Sequence, residues 1–293
     1  MMKRILSFSM VAIMMVAILS GCSGNGNSKG FDTNKTISVV SREEGSGTRS
    51  AFVEIVGVLE KDAAGNEADR TYEEATIQNG TDAVMTTVAG DKYAIGYISL
   101  GSLNDTVKAA KIEGVDVTSD NVQNGSYKIS RPFNVAYKGE LSPLAQDFMD
   151  FILSAEGQAI IVKEGNVQVG ADLPAYKGTG QEGDLVVAGS TSVTPVMEKL
   201  AEAYQELYSG VSIEIQSTGS SAGMQSAMEG TADLGMASRE LKDSELVELT
   251  AEIIAVDGIA VITNKENTIE DLTIDQVKSI YIGEATEWTS VVK

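Results

Sequence analysis

The chain contains no histidine and only one cysteine, Cys22. Without histidine it can build neither a Ser–His–Asp nor a Cys–His catalytic centre, and it lacks the commonest metal-ligating side chain. A single cysteine allows no intramolecular disulfide, so the stability of the fold must come from packing. We therefore expect a protein that is not an enzyme and that needs no cofactor.

Basic residues are also scarce. The 293 residues include 22 Lys and Arg against 42 Asp and Glu, which gives a net charge of −20. Nucleic acid is excluded as a partner, because its binding depends on neutralising phosphates with Lys and Arg. An anionic ligand would have to be held by local dipoles and hydrogen bonds, against the overall field of the protein. The length predicts one large or two medium domains.

The N-terminus has the pattern of a targeting segment. Lys3 and Arg4 precede the apolar run Ile5–Leu19, which is too short to be a comfortable bilayer span. The run leads into Cys22 through the letters LSGC, which resemble the bacterial lipoprotein processing box.

That resemblance implies three things. Residues 1–21 would be a signal peptide, Cys22 would be acylated at the extracytoplasmic face of the cell membrane, and residues 22–35 would be a flexible tether. The alternative is a plain secretory signal with a stray cysteine.

Apolar runs and amphipathic stretches predict strands that alternate with helices. Strands are expected at Ile37–Val40, Tyr93–Ser99, Tyr127–Ile129, Phe133–Tyr137, Leu185–Ala188, Val211–Ile215, Leu234–Ala237, Ile253–Asp257 and Ile259–Thr263. Arg49 to about Glu60 is predicted as a helix, Lys61–Ala68 as a loop and Gly170–Gly183 as an internal linker. This order indicates an α/β fold with mostly parallel sheets, whose ligands lie beyond the carboxyl ends of the strands.

Three loops share one local pattern, in which a β-type run breaks into Gly, Ser and Thr before a helix begins. They are Ser41–Thr48, Gly189–Pro195 and Thr218–Gly223. Each points backbone N–H groups and hydroxyls at the N-terminus of a helix, where an anion is attracted. Together they predict a site for a small oxyanion, although each alone fits an ordinary helix cap.

The first loop is the sharpest motif. Arg42 can donate a planar pair of N–H bonds to a tetrahedral oxyanion. Gly47 allows close backbone approach, and Ser46 and Thr48 add hydroxyls. Glu44 is expected either to orient Arg42 or to accept a proton from the ligand. The competing interpretation is a βα turn with a surface Arg–Glu pair.

The third loop also fits the G-x-S-x-G nucleophile elbow of hydrolases, with Ser221 as the nucleophile. No histidine is present to serve as its base. We therefore interpret this loop as a helix cap and anion donor.

Taken together, the motifs resemble the phosphate-binding proteins that serve ABC-type phosphate importers. The matching segments read GSTSVTPVMEKLAEAY, STGSSAGMQSAMEGTADLGMASREL, VDGIAVITN, SREEGSGTRSAF, AIGYISLG and PLAQDFMDFILSAEGQAIIVKEG. The resemblance implies a two-lobed fold of the type II periplasmic-binding-protein kind. Each lobe would hold a mostly parallel sheet flanked by helices, and orthophosphate would lie in the cleft between the lobes.

The same resemblance implies the site. Its phosphate ligands would be Arg42, Glu44, Ser46, Gly47 and Thr48 from one lobe, and Thr191, Ser192, Ser220 and Ser238 from the other. Some members of the family have an aspartate at the position of Ser238, which accepts the proton of monohydrogen phosphate. With a neutral serine there, discrimination against sulfate must depend on Glu44 or be weaker.

The order of the segments departs from the family, in which the GSTSVTP-like segment comes first. We therefore expect a circular permutation, in which the linker 170–183 joins the old ends. One lobe would comprise 36–130 and 263–293 and the other 138–261, with hinge strands at 131–137 and 257–263. The alternative is a truncated tandem duplication that pairs with a second copy.

The sequence thus predicts a lipid-anchored, extracytoplasmic protein that captures inorganic phosphate and delivers it to an ABC permease. One alternative is a binder of another tetrahedral oxyanion such as sulfate. Another is a sensor or surface module built on the same fold. A phosphatase is the least favoured, because the residues for the chemistry are missing.

Overall fold

The computed structural model describes residues 30–62 and 66–292. Thr33 and the residues that follow it form one compact unit. Within the described ranges, no helix is long and apolar enough to cross a membrane. The predicted signal peptide and the lipid anchor on Cys22 lie outside the described residues.

The strands are short at the edges of the fold and long at its centre. In chain order they are β1 (Ser38–Arg42), β2 (Leu59–Lys61), β3 (Glu67–Asp69), β4 (Thr76–Gln78), β5 (Ala94–Ser99), β6 (Lys108–Ala109), β7 (Lys111–Ile112), β8 (Ser130–Lys138), β9 (Gly183–Gly189), β10 (Val211–Ser217), β11 (Leu234–Ala237), β12 (Leu249–Thr263) and β13 (Asp271–Leu272).

Most of the helices begin at polar caps or at glycine, and one begins after Val193. The helices are α1 (Gly47–Ile55), α2 (Thr81–Gly90), α3 (Ser119–Gln123), α4 (Pro143–Ile152), α5 (Ala155–Lys163), α6 (Thr194–Leu207), α7 (Ser220–Glu229), α8 (Asp243–Leu246) and α9 (Ile274–Tyr281). Ser142 caps α4 ahead of a proline at the first helical position, and Thr273 and Gln276 form a capping box at α9.

One nine-stranded sheet runs through the unit, in the order β10-β9-β11-β8-β12-β5-β1-β4, with β6 beside β12. Its two ends are parallel, as predicted: β10, β9 and β11 at one end, and β5, β1 and β4 at the other. Between them β8 and β12 pair antiparallel, and β12 continues onto β5. The α/β prediction is confirmed, and the antiparallel centre is the part that it did not include.

The parallel ends of the sheet decide where the loops meet. At one end β1 leads into α1 and β4 leads into α2, while at the other β9 leads into α6 and β10 into α7. Four helices therefore begin at carboxyl ends of strands, two from each half of the sheet. This is where α/β folds place their ligands.

An aromatic cluster supports the half that holds β1. The rings of Phe52 and Tyr97 stack with centroids 3.9 Å apart, and Tyr281 meets Phe52 edge-on at 4.8 Å. The Tyr97 hydroxyl lies 2.9 Å from Ser41 Oγ and accepts a hydrogen bond from the Arg42 N–H at 3.2 Å. The core of this half therefore fixes the backbone from which Arg42 projects.

The last described residues complete this same half. The N–H of Thr289 donates to the carbonyl of Thr33 at 2.7 Å, and the N–H of Ile37 donates to that of Thr286 at 2.8 Å. The indole of Trp288 is fully buried. The beginning and the end of the described chain are thus joined side by side.

Two predictions for the segment after β1 are wrong. The helix expected to reach about Glu60 ends at Ile55, because Gly57 takes a left-handed conformation (φ 76°) that terminates it. Within Lys61–Ala68, predicted as a loop, Lys61, Glu67 and Ala68 instead belong to the paired strands β2 and β3. These strands are polar and mostly exposed, so their sequence carries no apolar alternation.

Two further predictions change in the centre of the fold. Tyr127–Ile129 is not a strand, and the buried Tyr127 instead donates its hydroxyl to the carbonyl of Ile259 at 2.8 Å. The runs Ile253–Asp257 and Ile259–Thr263 are one strand, β12, with an irregularity between Ile253 and Ala255.

Candidate functional site

The predicted site residues on β1 and α1 are buried where the two halves of the sheet face each other. Arg42 is the last residue of β1, and its side chain is 1% exposed. Ser46 caps α1 by accepting from the Arg49 N–H at 3.3 Å. Thr48, in the first turn of α1, is also buried. The β1 loop therefore presents a cation and a helix N-terminus at one place.

Hydroxyl groups from the other half meet these residues. Arg42 Nη2 donates to Thr191 Oγ1 at 2.9 Å, and the hydroxyl oxygens of Thr48 and Ser192 are 2.8 Å apart. Both contacts join residues that are more than 140 positions apart in the sequence. The structure thus brings the first two predicted loops together.

Ser220 and Ser238 complete the cluster. Ser220 Oγ accepts from the Ser238 N–H at 3.2 Å, and the two hydroxyl oxygens are 3.4 Å apart. A Cβ placed on Gly47 would lie 2.3 Å from Ser220 Oγ and 2.7 Å from Ser238 Oγ. Glycine is required at position 47 because the backbone of α1 approaches the opposite half at this point.

The carboxylate that orients Arg42 belongs to Glu43. Arg42 Nε and Nη2 each donate to it at 2.7 Å, and the Gly80 N–H donates to its Oε2 at 3.2 Å. Burial raises the pKa of Glu43, but the hydrogen bonds and charge of Arg42 outweigh it, so the net pKa is lowered. The expectation that Glu44 orients Arg42 is wrong, because Nε and Nη2 of Arg42 donate to Glu43 and Glu44 is exposed; its role as acceptor of a ligand proton stays a prediction.

One nitrogen of Arg42 is left over. Nη1 is buried and has no hydrogen-bond partner among the described residues. A buried charged donor without an acceptor is costly, and folded proteins contain few of them. An oxyanion beside Arg42 would satisfy this donor, and the N-termini of α1, α2, α6 and α7 would add their favourable dipoles.

Two further hydroxyl residues belong to the cluster: Ser190, which lies in a predicted loop but was not named as a ligand, and Thr81, which sequence reasoning missed. Ser190 Oγ donates to Ser238 Oγ at 2.9 Å, and Thr81 Oγ1 lies 3.4 Å from Ser192 Oγ. Thr81 begins α2 just after Gly80. The letters TIQNGTDAV repeat the strand, glycine and hydroxyl pattern of the other loops, so this signal was available in the sequence.

A groove of about 950 Å³ borders the cluster, and its lining includes Gly45, Ser46, Arg131, Ser221 and Arg239. The Ser221 N–H donates to the Gly45 carbonyl at 3.1 Å, which ties the two halves at the edge of the groove.

Arg239, at the edge of this groove, is held in an ion pair. Its guanidinium lies 2.7 Å from the carboxylate of Glu245. In the described ranges, no group of three or more His, Cys, Asp or Glu residues is arranged to hold a metal ion.

Known proteins with a similar sequence and fold provide a comparison. A family model described as the PBP superfamily domain matches residues 15–156 and 174–292. The chain is 46% identical over 297 residues to the phosphate-binding protein PstS 2 of Streptococcus agalactiae, and the match covers 100% of both proteins. It is also similar to the crystal structure of a phosphate ABC transporter's phosphate-binding protein from Streptococcus pneumoniae. The TM-score is 0.71, with 45% identity over 88% of this chain and 100% of that one.

A more distant relative matches only in part. The phosphate-binding protein PstS of Pseudomonas aeruginosa is 41% identical over 118 residues, which are 37% of this chain and 36% of that protein. The Streptococcus agalactiae relative matches over its full length, so its segments follow the same order as those of the present chain.

Proposed function

The chain belongs to the PBP superfamily and has the type II fold, and on that premise we propose that it captures inorganic phosphate between two lobes and delivers it to an ABC permease. The observation that carries the proposal is the buried Arg42, which contacts the hydroxyl of Thr191 from the other half of the sheet through Nη2 and keeps Nη1 unpartnered among the described residues. The names of its relatives as phosphate-binding proteins support the choice of ligand.

We assign the phosphate contacts to the buried members of the cluster and to the half-buried Thr191. Arg42 supplies the charge, and the hydroxyls and backbone N–H groups of the four loops supply further donors. The proposed ligands are Arg42, Ser46, Gly47, Thr48, Thr191, Ser192, Ser220 and Ser238. Charge-assisted hydrogen bonds contribute roughly 1.5–3 kcal/mol each, so several of them can offset closure and ligand ordering and leave the roughly −8 kcal/mol of a micromolar site.

Capture requires that the lobes move. We propose that 36–130 with 263–293 forms one lobe and 138–261 the other, and that the hinge lies at 131–137 and 257–263. The antiparallel pairing of β8 and β12 between the two parallel ends of the sheet supports this division.

We also propose that the segment order is a circular permutation relative to more distant phosphate-binding proteins. The partial match to the Pseudomonas aeruginosa protein supports it, because a collinear comparison can align only one of two exchanged segments. The contact of Arg42 with Thr191 within one chain favours a self-sufficient monomer over a half that needs a second copy.

We propose that the protein works at the extracytoplasmic face of the membrane, held by a lipid on Cys22, and that it performs no chemistry. The similar Streptococcus pneumoniae structure is that of the binding protein of a phosphate ABC transporter, which supports the role in transport.

Calorimetric titration with phosphate tests the proposal, after the purified chain has been unfolded and refolded to remove carried-over ligand. We expect micromolar or tighter binding, which Arg42→Gln abolishes. Arg70→Gln is the matched control, because it removes the same charge from an exposed pair with Glu60. If the folded wild-type chain does not bind phosphate, the proposed function is wrong.

A further inference from the structure

A second arginine is buried in the centre of the sheet and was not predicted as part of the site. Arg131 of β8 is 3% exposed and lies opposite Asp257 of β12 in the strand register. Its Nη2 and Nε lie 3.1 and 3.4 Å from Asp257 Oδ2. The other carboxylate oxygen of Asp257 accepts from Ser99 Oγ at 2.8 Å and from Asn166 Nδ2 at 3.1 Å.

The remaining terminal nitrogen of Arg131, Nη1, is buried and has no hydrogen-bond partner among the described residues. Arg42 shares this property. Arg239, which is buried as well, differs because both of its terminal nitrogens are bonded to Glu245. Arg42 and Arg131 are therefore two buried guanidinium groups that each keep one Nη donor available for an acceptor.

Arg131 is also close to the proposed site. It lines the same groove as Gly45 and Ser46, at the turn from β1 into α1. The pKa of Arg131 is lowered to about 10, mainly by burial; the charge of Asp257 opposes this effect, and the positive charge of Arg42 contributes to it. The two cations thus act on each other inside the protein, and an anion near both would offset their repulsion.

We propose that Arg131 is a second cation for the captured anion, with its charge and unpartnered Nη1 directed to phosphate and with Asp257 holding its guanidinium in place. This inference depends on the proposed function, since it concerns the same ligand. It adds a residue from the hinge strand β8 to a site otherwise built from loops and helix N-termini. Arg131 would then lie in the hinge that closes the lobes and would also attract the anion.

Phosphate titration of four variants tests the inference, with folding checked by circular dichroism. Arg131→Gln should weaken phosphate binding about tenfold or more, the loss expected for one charge-assisted hydrogen bond. Arg131→Lys keeps the charge and should lose less. Asp257→Asn keeps an oxygen that accepts from Arg131 but removes the compensating negative charge, so this variant should bind phosphate at least as tightly as the wild type. Arg70→Gln should leave binding unchanged.

The outcomes separate the two proposals. A wild-type chain that does not bind phosphate refutes the proposed function itself. A wild-type chain that binds, together with Arg131→Gln that binds equally well, overturns only the inference. Equal losses in Arg131→Gln and Asp257→Asn also overturn it, because they would mean that the pair acts by holding the hinge. If Arg131→Gln does not fold, the neutral double variant Arg131→Gln/Asp257→Asn replaces it, with the same tenfold loss expected.

Discussion

Ser238 gives a direct test of how the proposed site tells phosphate from sulfate. The residue is fully buried, and its hydroxyl accepts from Ser190 at 2.9 Å. The 2.7 Å between its Oγ and a Cβ placed on Gly47 shows that this hydroxyl faces the start of α1. Glu43 is engaged by Arg42, and Glu44 is exposed to water, which weakens any hydrogen bond that it accepts from a protonated ligand. We therefore expect the wild type to bind phosphate and sulfate within about a hundredfold of each other, because the two dianions have nearly the same shape and differ by one hydrogen bond, worth roughly 1.5–3 kcal/mol.

Ser238→Asp places a carboxylate at this position. Two like unit charges about 4 Å apart repel by about 4 kcal/mol at an effective dielectric constant of about 20, which is about a thousandfold in Kd. Sulfate has no proton at neutral pH and takes the full penalty. Monohydrogen phosphate can donate its proton to the carboxylate and recover roughly 1.5–3 kcal/mol. The variant should therefore weaken sulfate binding about a thousandfold and phosphate binding only about five- to seventyfold.

Calorimetry of the wild type, Ser238→Asp and Ser238→Asn with both anions at pH 8 decides the matter. Ser238→Asn has nearly the size of the aspartate variant without its charge, so it measures the cost of packing alone. The reasoning is refuted if the wild type already rejects sulfate by more than about ten thousandfold. It is also refuted if the two variants show the same ratio of phosphate to sulfate affinity.

Two further predictions concern closure and stability. Gly47→Ala should weaken phosphate binding by roughly 1–3 kcal/mol, the usual cost of overpacking, because its Cβ would meet Ser220 Oγ at 2.3 Å. Calorimetric titration should show this loss of affinity while the thermal unfolding of the variant stays unchanged. An unaltered affinity for phosphate would contradict the prediction. Asp147 accepts hydrogen bonds from the hydroxyls of Tyr176 and Tyr204, both at 2.6 Å, and although burial raises its pKa, these bonds lower it overall. Because the pKa of Asp147 is lower in the folded than in the unfolded protein, its ionised carboxylate stabilises the fold above the unfolded value near 4, and this stabilisation is lost as the pH falls through the folded pKa. Asp147→Asn should therefore lower the free energy of unfolding in urea by about 2–4 kcal/mol at pH 7 and by less at pH 3. An equal loss at both pH values would contradict the assignment.

The loops of the site could be predicted from the sequence because their signal is local. A strand that breaks into Gly, Ser and Thr before a helix places donors at a helix N-terminus wherever the segment lies in the chain. The buried cluster that joins Arg42, Thr48, Thr191 and Ser192 follows from that pattern together with the parallel ends of the sheet.

The charged partners could not be predicted in the same way. Glu43 and Glu44 are neighbours of one residue type, and only the backbone path after β1 decides which carboxylate turns toward Arg42. The pairing of Arg131 with Asp257 depends on the register of two strands whose contacting residues are 126 positions apart. The periodicity of apolar residues predicts that such strands are buried, but it does not determine how two strands align with each other.

The joining of the two ends of the described chain has a consequence for biosynthesis. The half that contains β1 is made first, yet Ile37 and Thr33 find their partners only in Thr286 and Thr289. At about 5–20 residues per second, the intervening stretch of about 250 residues occupies the ribosome for roughly 10–50 seconds. The lobe proposed at 138–261 is continuous in sequence, so it can fold before residues 286–289 are made. The first part of the polypeptide to appear is therefore the last to be finished, and its apolar strands need protection from aggregation in the meantime.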